Sequence, residues 1–364
     1  MKSGKLNIVI DGQWGSTGKG KLCAYLAKKF DVAVSICDFQ NNAGHTVVFD
    51  DGTKHVFQQL PVTASCNQDT ELLISPAATI SVDKLLQEIE IHGAANRLMI
   101  HPKAGIITPE CVDFEQHFLK RISSTLKGCG AATGMKTMRM PGMVLAKDVP
   151  ELKSFIGDTT EKLKLYLQSG AIAMMETAQG FDLSLNHGLE YPYVTSRDVT
   201  TASALNNAGV PPQVVGEVYG CLRTFPIRVG NMIENGEMIG SSGPIHPDHV
   251  ELTWEELRRR SGAVDDIEER TTVTNKVRRV FTFSAIQFKN FIDVCAPTKL
   301  FVNFINHVCF RDYGVKDFNG LTPESMDFLN MITGLCSGPS YYDVKQPVIS
   351  YVGTGERMSD MVCI

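Results

Sequence analysis

The stretch from residue 7 to residue 29 reads NIVIDGQWGSTGKGKLCAYLAKK, and it decides the fold. Its apolar, β-branched start predicts a buried strand. Glycines at 12, 15, 18 and 20 follow at once, and a helical pattern continues from Leu22 to Ala27. A glycine-rich turn between a strand and a helix aims backbone N–H groups and the positive end of the helix dipole at one point, where Lys19 and Lys21 add charge. This unit predicts a phosphate cradle.

The cradle differs from an ordinary P-loop. The spacing from Gly15 to Lys21 is that of a P-loop, but Leu22 stands where that motif has the Ser or Thr that holds Mg²⁺. A second polar stretch follows at residues 42–46, with the sequence NAGHT. Because His45 lies on a glycine-flanked turn soon after the phosphate loop, we interpret it as a candidate general acid.

The rest of the chain alternates strand and helix patterns. Strands are predicted at residues 32–36, 72–74, 99–100 and 171–176, helices at 81–92, 111–126 and 254–260, and a hairpin at 47–57. Small residues at 128–134 predict a second loop able to approach a phosphate closely. The alternation predicts an α/β fold, in which residues 1–364 form a single large domain around a mostly parallel central β-sheet with flanking helices.

Composition argues against several classes of protein. The net charge of −5, with no extended basic stripe, argues against a nucleic-acid partner. The ten cysteines form no Cys-x-x-Cys pair. We find neither a signal peptide nor an apolar run of about eighteen residues. We therefore expect reduced core thiols, no membrane segment and a cytoplasmic location.

The two polar motifs resemble those of the adenylosuccinate synthetases, which carry Gln-Trp-Gly-Asp-Glu-Gly-Lys-Gly-Lys and Asn-Ala-Gly-His-Thr at this spacing. Here Ser16 and Thr17 replace the acidic pair. In the family the first carboxylate is catalytic base and magnesium ligand and faces N1 of the purine of IMP. A Ser-Thr pair resembles the phage branch, the 2-aminoadenylosuccinate synthetases, whose acceptor is dGMP. A hydroxyl makes room for the 2-amino group and removes a buried charge.

The resemblance extends from about residue 5 to residue 360 and implies roles for further positions. Ser16 and His45 are the implied catalytic residues, and Ser16 and the Gly44 carbonyl are implied ligands of Mg²⁺, together with phosphate oxygens and water. The donor nucleotide and its phosphates are assigned to Gly15, Ser16, Thr17, Gly18, Lys19, Gly20, Lys21, Gly44, Thr46, Arg278, Phe304, Ile305, Asn306, Gly353, Thr354 and Gly355. The purine monophosphate is assigned to Ser16, Asn42, Ala43, Thr133, Arg139, Gln179, Thr195 and Lys276. L-Aspartate is assigned to Thr272, Val273, Thr274, Asn275, Lys276, Val277 and Arg278.

One replacement predicts the phosphoryl donor. Residues 303–306 stand where the family has Thr-Lys-Leu-Asp, whose Asp accepts hydrogen bonds from guanine. Asn306 is both a donor and an acceptor, so it can pair with N1 and N6 of adenine. We therefore expect ATP or dATP. Phe304, in place of the Lys, either stacks or fills space.

The resemblance implies a homodimeric ligase, in which Arg139 reaches the neighbouring subunit's site. The γ-phosphoryl group of the donor would pass to O6 of dGMP, and the amine of L-aspartate would then displace it at C6. The product would be N6-succino-2-amino-2′-deoxyadenylate, for diaminopurine DNA. Two alternatives stay open. One is an ordinary adenylosuccinate synthetase that uses IMP and GTP, and the other is a catalytically silent nucleotide-binding regulator, suggested by the missing base.

Overall fold

The structure is a computed structural model, and it describes residues 1–271, 276–337 and 345–364. The strands are β1 (Leu6–Asp11), β2 (Val32–Cys37), β3 (His45–Val48), β4 (Lys54–Phe57), β5 (Glu71–Ile74), β6 (Thr79–Ile80), β7 (Leu98–Ile100), β8 (Gly105–Ile106), β9 (Ile172–Glu176), β10 (Val215–Arg223), β11 (Ile227–Arg228), β12 (Met232–Glu234), β13 (Glu237–Gly240), β14 (Glu251–Leu252), β15 (Arg279–Phe281), β16 (Lys299–Asn303), β17 (Val348–Gly353) and β18 (Met361–Cys363). The α-helices are α1 (Lys19–Lys29), α2 (Val82–Ile91), α3 (Pro109–Phe118), α4 (Cys129–Met138), α5 (Thr159–Gln168), α6 (Thr201–Ala208), α7 (Trp254–Ser261), α8 (Ala285–Cys295) and α9 (Pro323–Cys336).

A nine-stranded sheet organises the molecule, in the order β18-β17-β16-β10-β1-β9-β2-β5-β7. Its neighbours are parallel except at the edge, where β17 and β18 are antiparallel. The first strand lies in the middle, and β9 lies between β1 and β2. The mostly parallel central sheet is confirmed, and so is the central position predicted for residues 171–176.

Both faces of the sheet are buried, which explains why its strands are nearly continuous apolar runs. In β1 the side chains alternate between two cores, because successive residues of a strand point to opposite faces. Val9 packs in the core that contains Leu22 and Leu26 of α1. Ile8 and Ile10 pack in the other core, which contains residues of α6, α8 and α9. The flanking helices therefore hold β1, and with it the glycine-rich turn, from both sides.

Several local predictions agree with the structure and two differ. The predicted hairpin forms between β3 and β4. The helix predicted at 111–126 is α3, which ends at Phe118. The loop predicted at 128–134 is wrong, because these residues begin helix α4. The helix predicted at 254–260 is α7, but one face of it is buried through Trp254 and Leu257.

The cysteines are mostly buried, in agreement with their predicted place in the core. All ten cysteines lie in the described ranges, and none of them forms a disulfide bond. All are buried except Cys66, which is half-buried, and Cys363, which is exposed. Among residues 1–271, 276–337 and 345–364, no helix has the length and apolar character needed to cross a membrane.

Candidate active site

The glycine-rich turn lies at the carboxyl edge of the sheet, between β1 and α1. Three of its residues have left-handed backbones, Gly15 with φ 94°, Ser16 with φ 57° and Gly18 with φ 91°. A side chain at Gly18 would overlap the Nδ2 atom of Asn303, so the loop approaches β16 too closely for any residue but glycine. The loop therefore lies tightly against β16, and Ser16 lines the surface of a cavity.

The centre of this turn is the Asp11 carboxylate, which the sequence analysis treated only as the end of a strand. Its Oδ1 accepts hydrogen bonds from the backbone N–H groups of Gln13 at 2.9 Å and Gly15 at 3.1 Å. Its Oδ2 accepts bonds from the Thr17 hydroxyl at 2.5 Å and the Lys19 ammonium at 3.0 Å. Asp11 is fully buried, so this carboxylate shapes the loop from inside. An acidic residue directly before the glycine run was the available signal.

The two lysines of the loop have different surroundings. Lys19 lines a cavity, and its Nζ donates to Asp11 and to the backbone carbonyl of Gln179 at 2.8 Å. Lys21 points away, and its Nζ donates to the backbone carbonyls of Gly355 at 2.8 Å and Asp360 at 2.7 Å. Burial lowers the pKa of Lys21 to about 7. We infer that Lys19 is the cation available to a phosphate and that Lys21 ties α1 to the segment before β18.

His45, the first residue of β3, is held by a carboxylate from the central sheet. Its Nδ1 lies 2.5 Å from Oε1 of Glu176, the last residue of β9. The other oxygen, Oε2, accepts a hydrogen bond from the Val62 N–H at 2.9 Å. Glu176 is fully buried. A carboxylate facing Nδ1 places the proton on that nitrogen and leaves Nε2 of His45 for a substrate.

Two adjoining cavities open beside these groups. The first, which we name the loop cavity, has a volume of about 290 Å³ and is bounded by Ser16, Lys19 and His45. The second, the side cavity, has a volume of about 280 Å³ and is bounded by Thr195 and Ser196. Both cavities share the residues Trp14, Asn42, Ser123, Ser124, Thr125, Gln179, Leu183, Val229 and Arg278. The two cavities are thus neighbouring parts of one cleft.

A run of three hydroxyl residues, Ser123 to Thr125, lines both cavities and was missed by the sequence analysis. It follows a short helical turn after α3, and Ser123 is fixed by its bond to the Gly240 carbonyl at 2.8 Å. The position assigned instead, Thr133, lies on α4, where its hydroxyl donates to the Cys129 carbonyl and accepts a bond from Gln40. The signal available in the sequence was the run of three hydroxyl residues itself, which lies shortly before Gly128.

The structure brings many of the predicted site residues together and leaves others outside. The loop cavity is lined by Gly15, Ser16, Lys19, Asn42, Ala43, Gly44, His45, Gln179, Lys276 and Arg278, and the side cavity by Asn42, Gln179, Thr195 and Arg278. Neither cavity is lined by Thr17, Gly18, Gly20, Lys21, Thr46, Thr133, Arg139, Val277, Phe304, Ile305, Asn306, Gly353, Thr354 or Gly355. Thr272, Val273, Thr274 and Asn275 lie outside the described residues.

The cleft concentrates positive charge. Lys276 and Arg278 enter the loop cavity, and Arg228 enters the side cavity. Arg228 lies over the Trp14 ring at 4.9 Å, and its fork donates to two backbone carbonyls. Burial lowers the pKa of Arg228 to about 10 and also lowers the pKa of Arg278. Buried cations that face a polar cleft suit anionic ligands such as phosphates and carboxylates.

Residues assigned to the donor base form a separate region at the end of β16. Phe304 has a left-handed backbone with φ 60°, and its ring lies 4.1 Å from the guanidinium carbon of Arg223. Asn306 is buried, and its Oδ1 has no hydrogen-bond partner among the described residues. By contrast, the Thr354 hydroxyl is used internally, on the Val315 carbonyl at 2.7 Å. Asn306 is therefore the member of this group with an unused buried acceptor.

The metal prediction has limited support from side chains. Ser16 and Gly44 line the same cavity, as expected for two ligands of one ion. In the part of the chain that the structure describes, however, no three His, Cys, Asp or Glu side chains converge on a point that suits a metal ion. The Asp11 carboxylate of the loop already accepts bonds from the loop and is buried. These residues fit an ion that takes most of its ligands from phosphate and water, as Mg²⁺ often does.

The fold and the cleft define a class of protein. A parallel sheet binds its ligands at the carboxyl ends of its strands, and here that edge carries an anion cradle, a carboxylate-held histidine and converging cations. The class is that of α/β enzymes that act on phosphorylated substrates.

Comparison with known proteins identifies the family. The adenylosuccinate synthetase family profile matches residues 8–149 and 143–308. The chain is 35% identical over 341 residues to the N6-succino-2-amino-2′-deoxyadenylate synthase of Acinetobacter phage SH-Ab 15497, a match covering 85% of this chain and 86% of the relative. It is also 35% identical to the enzyme of the same name from cyanophage S-2L, over 98% of this chain and 91% of the relative. The chain belongs to the adenylosuccinate synthetase family.

Solved structures agree with this placement. The succinoaminodeoxyadenylate synthetase of cyanophage S-2L, described as bound to dGMP and to dATP as an energy donor, superposes with a TM-score of 0.81 at 33% identity. That match covers 99% of this chain and 95% of the cyanophage chain. The adenylosuccinate synthetase of Plasmodium falciparum superposes with a TM-score of 0.82 at 16% identity, covering 99% of this chain and 100% of the other, which shows the shared fold.

Proposed function

We propose that this chain is a carbon–nitrogen ligase that joins L-aspartate to C6 of dGMP and consumes ATP or dATP. The product is N6-succino-2-amino-2′-deoxyadenylate, a precursor of diaminopurine nucleotides. The observation that carries this proposal is the neutral, exposed Ser16, which lines the loop cavity together with His45. The names of the phage relatives and the ligands of the cyanophage enzyme support the same substrates.

The chemistry requires two steps at the purine. The γ-phosphoryl group is transferred to O6, with release of the nucleoside diphosphate, and the aspartate amine then attacks C6 and expels phosphate. Lys19 and the free N–H groups of the loop would stabilise charge on the moving phosphoryl oxygens. His45, oriented by Glu176, would donate a hydrogen bond from Nε2 to the same oxygens when both of its ring nitrogens carry a proton.

Ser16 would orient the purine rather than deprotonate it. A hydroxyl has an ordinary pKa far above 7, so it is a poor general base. Asp11 does not replace the missing base, because it is buried and its oxygens already accept bonds from the loop. We infer that the N1 proton passes to a phosphate oxygen of the substrate. The short, uncharged side chain of Ser16 leaves room for the 2-amino group of dGMP.

Adenine recognition would use Asn306. Its buried Oδ1 has no partner among the described residues, and such an atom costs free energy unless a ligand satisfies it. The N6 amine of adenine is a suitable donor, and the Asn306 amide can donate to adenine N1. The guanine of GTP would instead present an oxygen and an N–H to these two atoms.

The carboxylates of L-aspartate would bind Lys276 and Arg278, which share the loop cavity with Ser16 and His45. The segment 272–275, also assigned to aspartate, remains a prediction. Mg²⁺, when bound, would neutralise phosphate charge, with Ser16 and the Gly44 carbonyl as protein ligands. We expect phosphate release to stop in EDTA and to return with excess Mg²⁺, and release that continues in EDTA would exclude this role.

We also propose that the 364 residues act as one domain and pair as a homodimer. Arg139 is exposed at the end of α4 with a left-handed backbone, and it lines neither cavity of its own chain. Large apolar side chains are exposed on α3 and around Arg139, namely Phe114 (53%), Phe118 (53%), Met138 (64%) and Met140 (42%). A group of exposed large apolar side chains is typical of an interface. Sedimentation should show a dimer, and a monomer with full activity would contradict this assignment.

Purified protein offered dGMP or IMP, each with ATP, dATP or GTP, tests the function directly. We expect aspartate-dependent phosphate release with dGMP and an adenine donor. Preference for IMP with GTP would instead indicate an ordinary adenylosuccinate synthetase, and nucleotide binding without turnover would indicate a regulator. Ser16→Asp should depress turnover of dGMP, since Asp tolerates the left-handed backbone and changes only size and charge. Unchanged dGMP turnover in Ser16→Asp would refute this account of the pocket.

A further inference from the structure

Arg223, the last residue of β10, is a completely buried cation that lines neither cavity. Its backbone is fixed by Gln13, whose side chain accepts from the Arg223 N–H at 3.0 Å and donates to its carbonyl at 3.1 Å. A buried guanidinium requires a partner for its charge and its donors. The partners of Arg223 come from three segments: the turn that carries Ser16, the donor-base region at Phe304, and Glu269, which precedes the residues assigned to aspartate.

The first partner is the turn that carries Ser16. One guanidinium nitrogen, Nη1, donates to the Ser16 carbonyl at 3.1 Å. Because Ser16 has φ 57°, a conformation that a serine seldom adopts, this bond helps to fix the direction of its hydroxyl. The second partner is Phe304. The centroid of its ring lies 4.1 Å from Cζ of the guanidinium.

The third partner is Glu269, which contacts both terminal nitrogens of the guanidinium, Nη1 and Nη2. Nη1 lies 3.3 Å from Oε2, and Nη2 is bonded to Oε1. Burial opposes the charge on Glu269, but Arg223, together with His307 and Arg278, outweighs this effect, and the pKa of Glu269 lies below its ordinary value. The two residues thus form a charged pair with a fixed, two-pronged geometry.

Backbone hydrogen bonds from Glu269 and Thr271 hold Lys276 and Arg278, the two cations proposed to bind aspartate. Its carbonyl accepts a hydrogen bond from the Arg278 N–H at 2.9 Å. Two residues further on, the Thr271 N–H donates to the Lys276 carbonyl at 2.8 Å. A shift of Glu269 therefore displaces the backbone from which Lys276 and Arg278 extend into the loop cavity.

We propose that Arg223 and Glu269 are a positioning pair, which couples occupation of the donor-base region at Phe304 to the placement of Lys276 and Arg278. This inference rests on the proposed function, which assigns the donor base to Asn306, two residues after Phe304, and aspartate to these cations. A donor base that packs against Phe304 shifts the Phe304 ring, and this ring contacts the Arg223 guanidinium. The planar guanidinium transmits that movement to Glu269 because its nitrogen atoms cannot move independently.

Glu269→Gln tests the pair, with Glu251→Gln as the matched control. Glu251 makes the same two-pronged contact with Arg279, at 2.7 and 2.6 Å, on a neighbouring strand, and lines neither cavity. The aspartate KM is measured at low and at saturating ATP, with dGMP fixed. We expect saturating ATP to lower this KM by about five-fold or more in the wild type and in Glu251→Gln. In Glu269→Gln the response should fall below about two-fold, with the dGMP KM unchanged within about two-fold.

Hydrogen exchange provides a readout that needs no turnover. A non-hydrolysable ATP analogue should slow amide exchange in residues 263–271 of the wild type, and Glu269→Gln should abolish that effect while protection of residues 12–21 persists. Arg223→Lys keeps the charge but loses the two-pronged contact, so it should behave like Glu269→Gln and provides a second variant if Glu269→Gln does not fold.

The outcomes separate the two proposals. A donor response that persists in Glu269→Gln and Arg223→Lys, or a wild type without any donor response, overturns the coupling and leaves the ligase assignment intact. A wild type without turnover on any substrate pair overturns the ligase assignment, whereas the exchange measurement still decides whether the coupling exists.

Discussion

The contact between Glu176 and His45 leads to a prediction that the structure makes quantitative. Glu176→Gln keeps the shape of the side chain and removes its charge. In the wild type, the Glu176 carboxylate accepts two hydrogen bonds, one from His45 Nδ1 and one from the Val62 N–H. A glutamine has only one oxygen, so one of these two donors must face an NH₂ group. If the oxygen stays with Val62, the amide donates to Nδ1, so that nitrogen cannot carry a proton and His45 cannot hold protons on both ring nitrogens.

The expected loss follows from the bond that is removed. A hydrogen bond to a charged partner contributes about 1.5–3 kcal/mol. If the contact orients His45 for the transition state, kcat should fall by roughly 10- to 150-fold. The KM values for dGMP and ATP should change little, because Glu176 lies behind His45 and lines neither cavity.

Glu88→Gln provides the control. Glu88 is also buried, and its two oxygens accept backbone N–H bonds from Gln58, Gln59 and Leu60, a few residues before Val62. Glu88 lines neither cavity, so its substitution should lower the melting temperature and leave kcat within about two-fold. Single-turnover phosphate release and thermal unfolding separate the two effects. Equal kcat values for wild type and Glu176→Gln, with both variants equally destabilised, would refute the role given to this contact.

Three further predictions concern other parts of the molecule. Burial lowers the pKa of His249 from 6.5 to about 4, so the native state loses stability as pH falls from about 6.5 to 4. His249→Phe should therefore reduce the stability difference between pH 8 and pH 5 by about 2 kcal/mol in urea unfolding. Gly18→Ala should destabilise the fold by more than about 1 kcal/mol and weaken ATP binding, because the new Cβ overlaps Asn303. The control Gly52→Ala has a similar φ of 86° but lies in open space, so it should lose less stability. Lys276→Ala should raise the aspartate KM by about tenfold or more in initial-rate measurements, and an unchanged KM would remove Lys276 from the aspartate site.

Local patterns were sufficient to predict the strand–turn–helix unit at the start of the chain and the turn that carries His45. These features depend on neighbouring residues, since glycine spacing and β-branched runs act over a few positions. The His45 partner was not predictable, because Glu176 lies 131 positions away and meets His45 only when β9 enters the sheet. For the same reason, the sequence showed that Lys21 is a cation but not that it is buried against the carbonyls of residues 355 and 360.

The wrong loop at residues 128–134 has a similar cause. Glycine disfavours a helix, so a segment rich in small residues indicates a loop when it is considered alone. In the structure the Glu115 carboxylate accepts the backbone N–H groups of Gly128, Gly130 and Ala131, which satisfies the first turn of α4 from a different helix. The helix therefore depends on a tertiary contact that the local sequence does not show.

The insertion of β9 between β1 and β2 affects how the protein is made. The first two strands to leave the ribosome are not neighbours in the folded sheet, and their native pairing requires residues 172–176, which are made later. Until then the turn at residues 12–18 has no rigid support, and His45 has no partner. The nascent chain therefore exposes apolar strands for nearly half of its synthesis, a period in which chaperones would protect it and in which no shortened N-terminal fragment would be active.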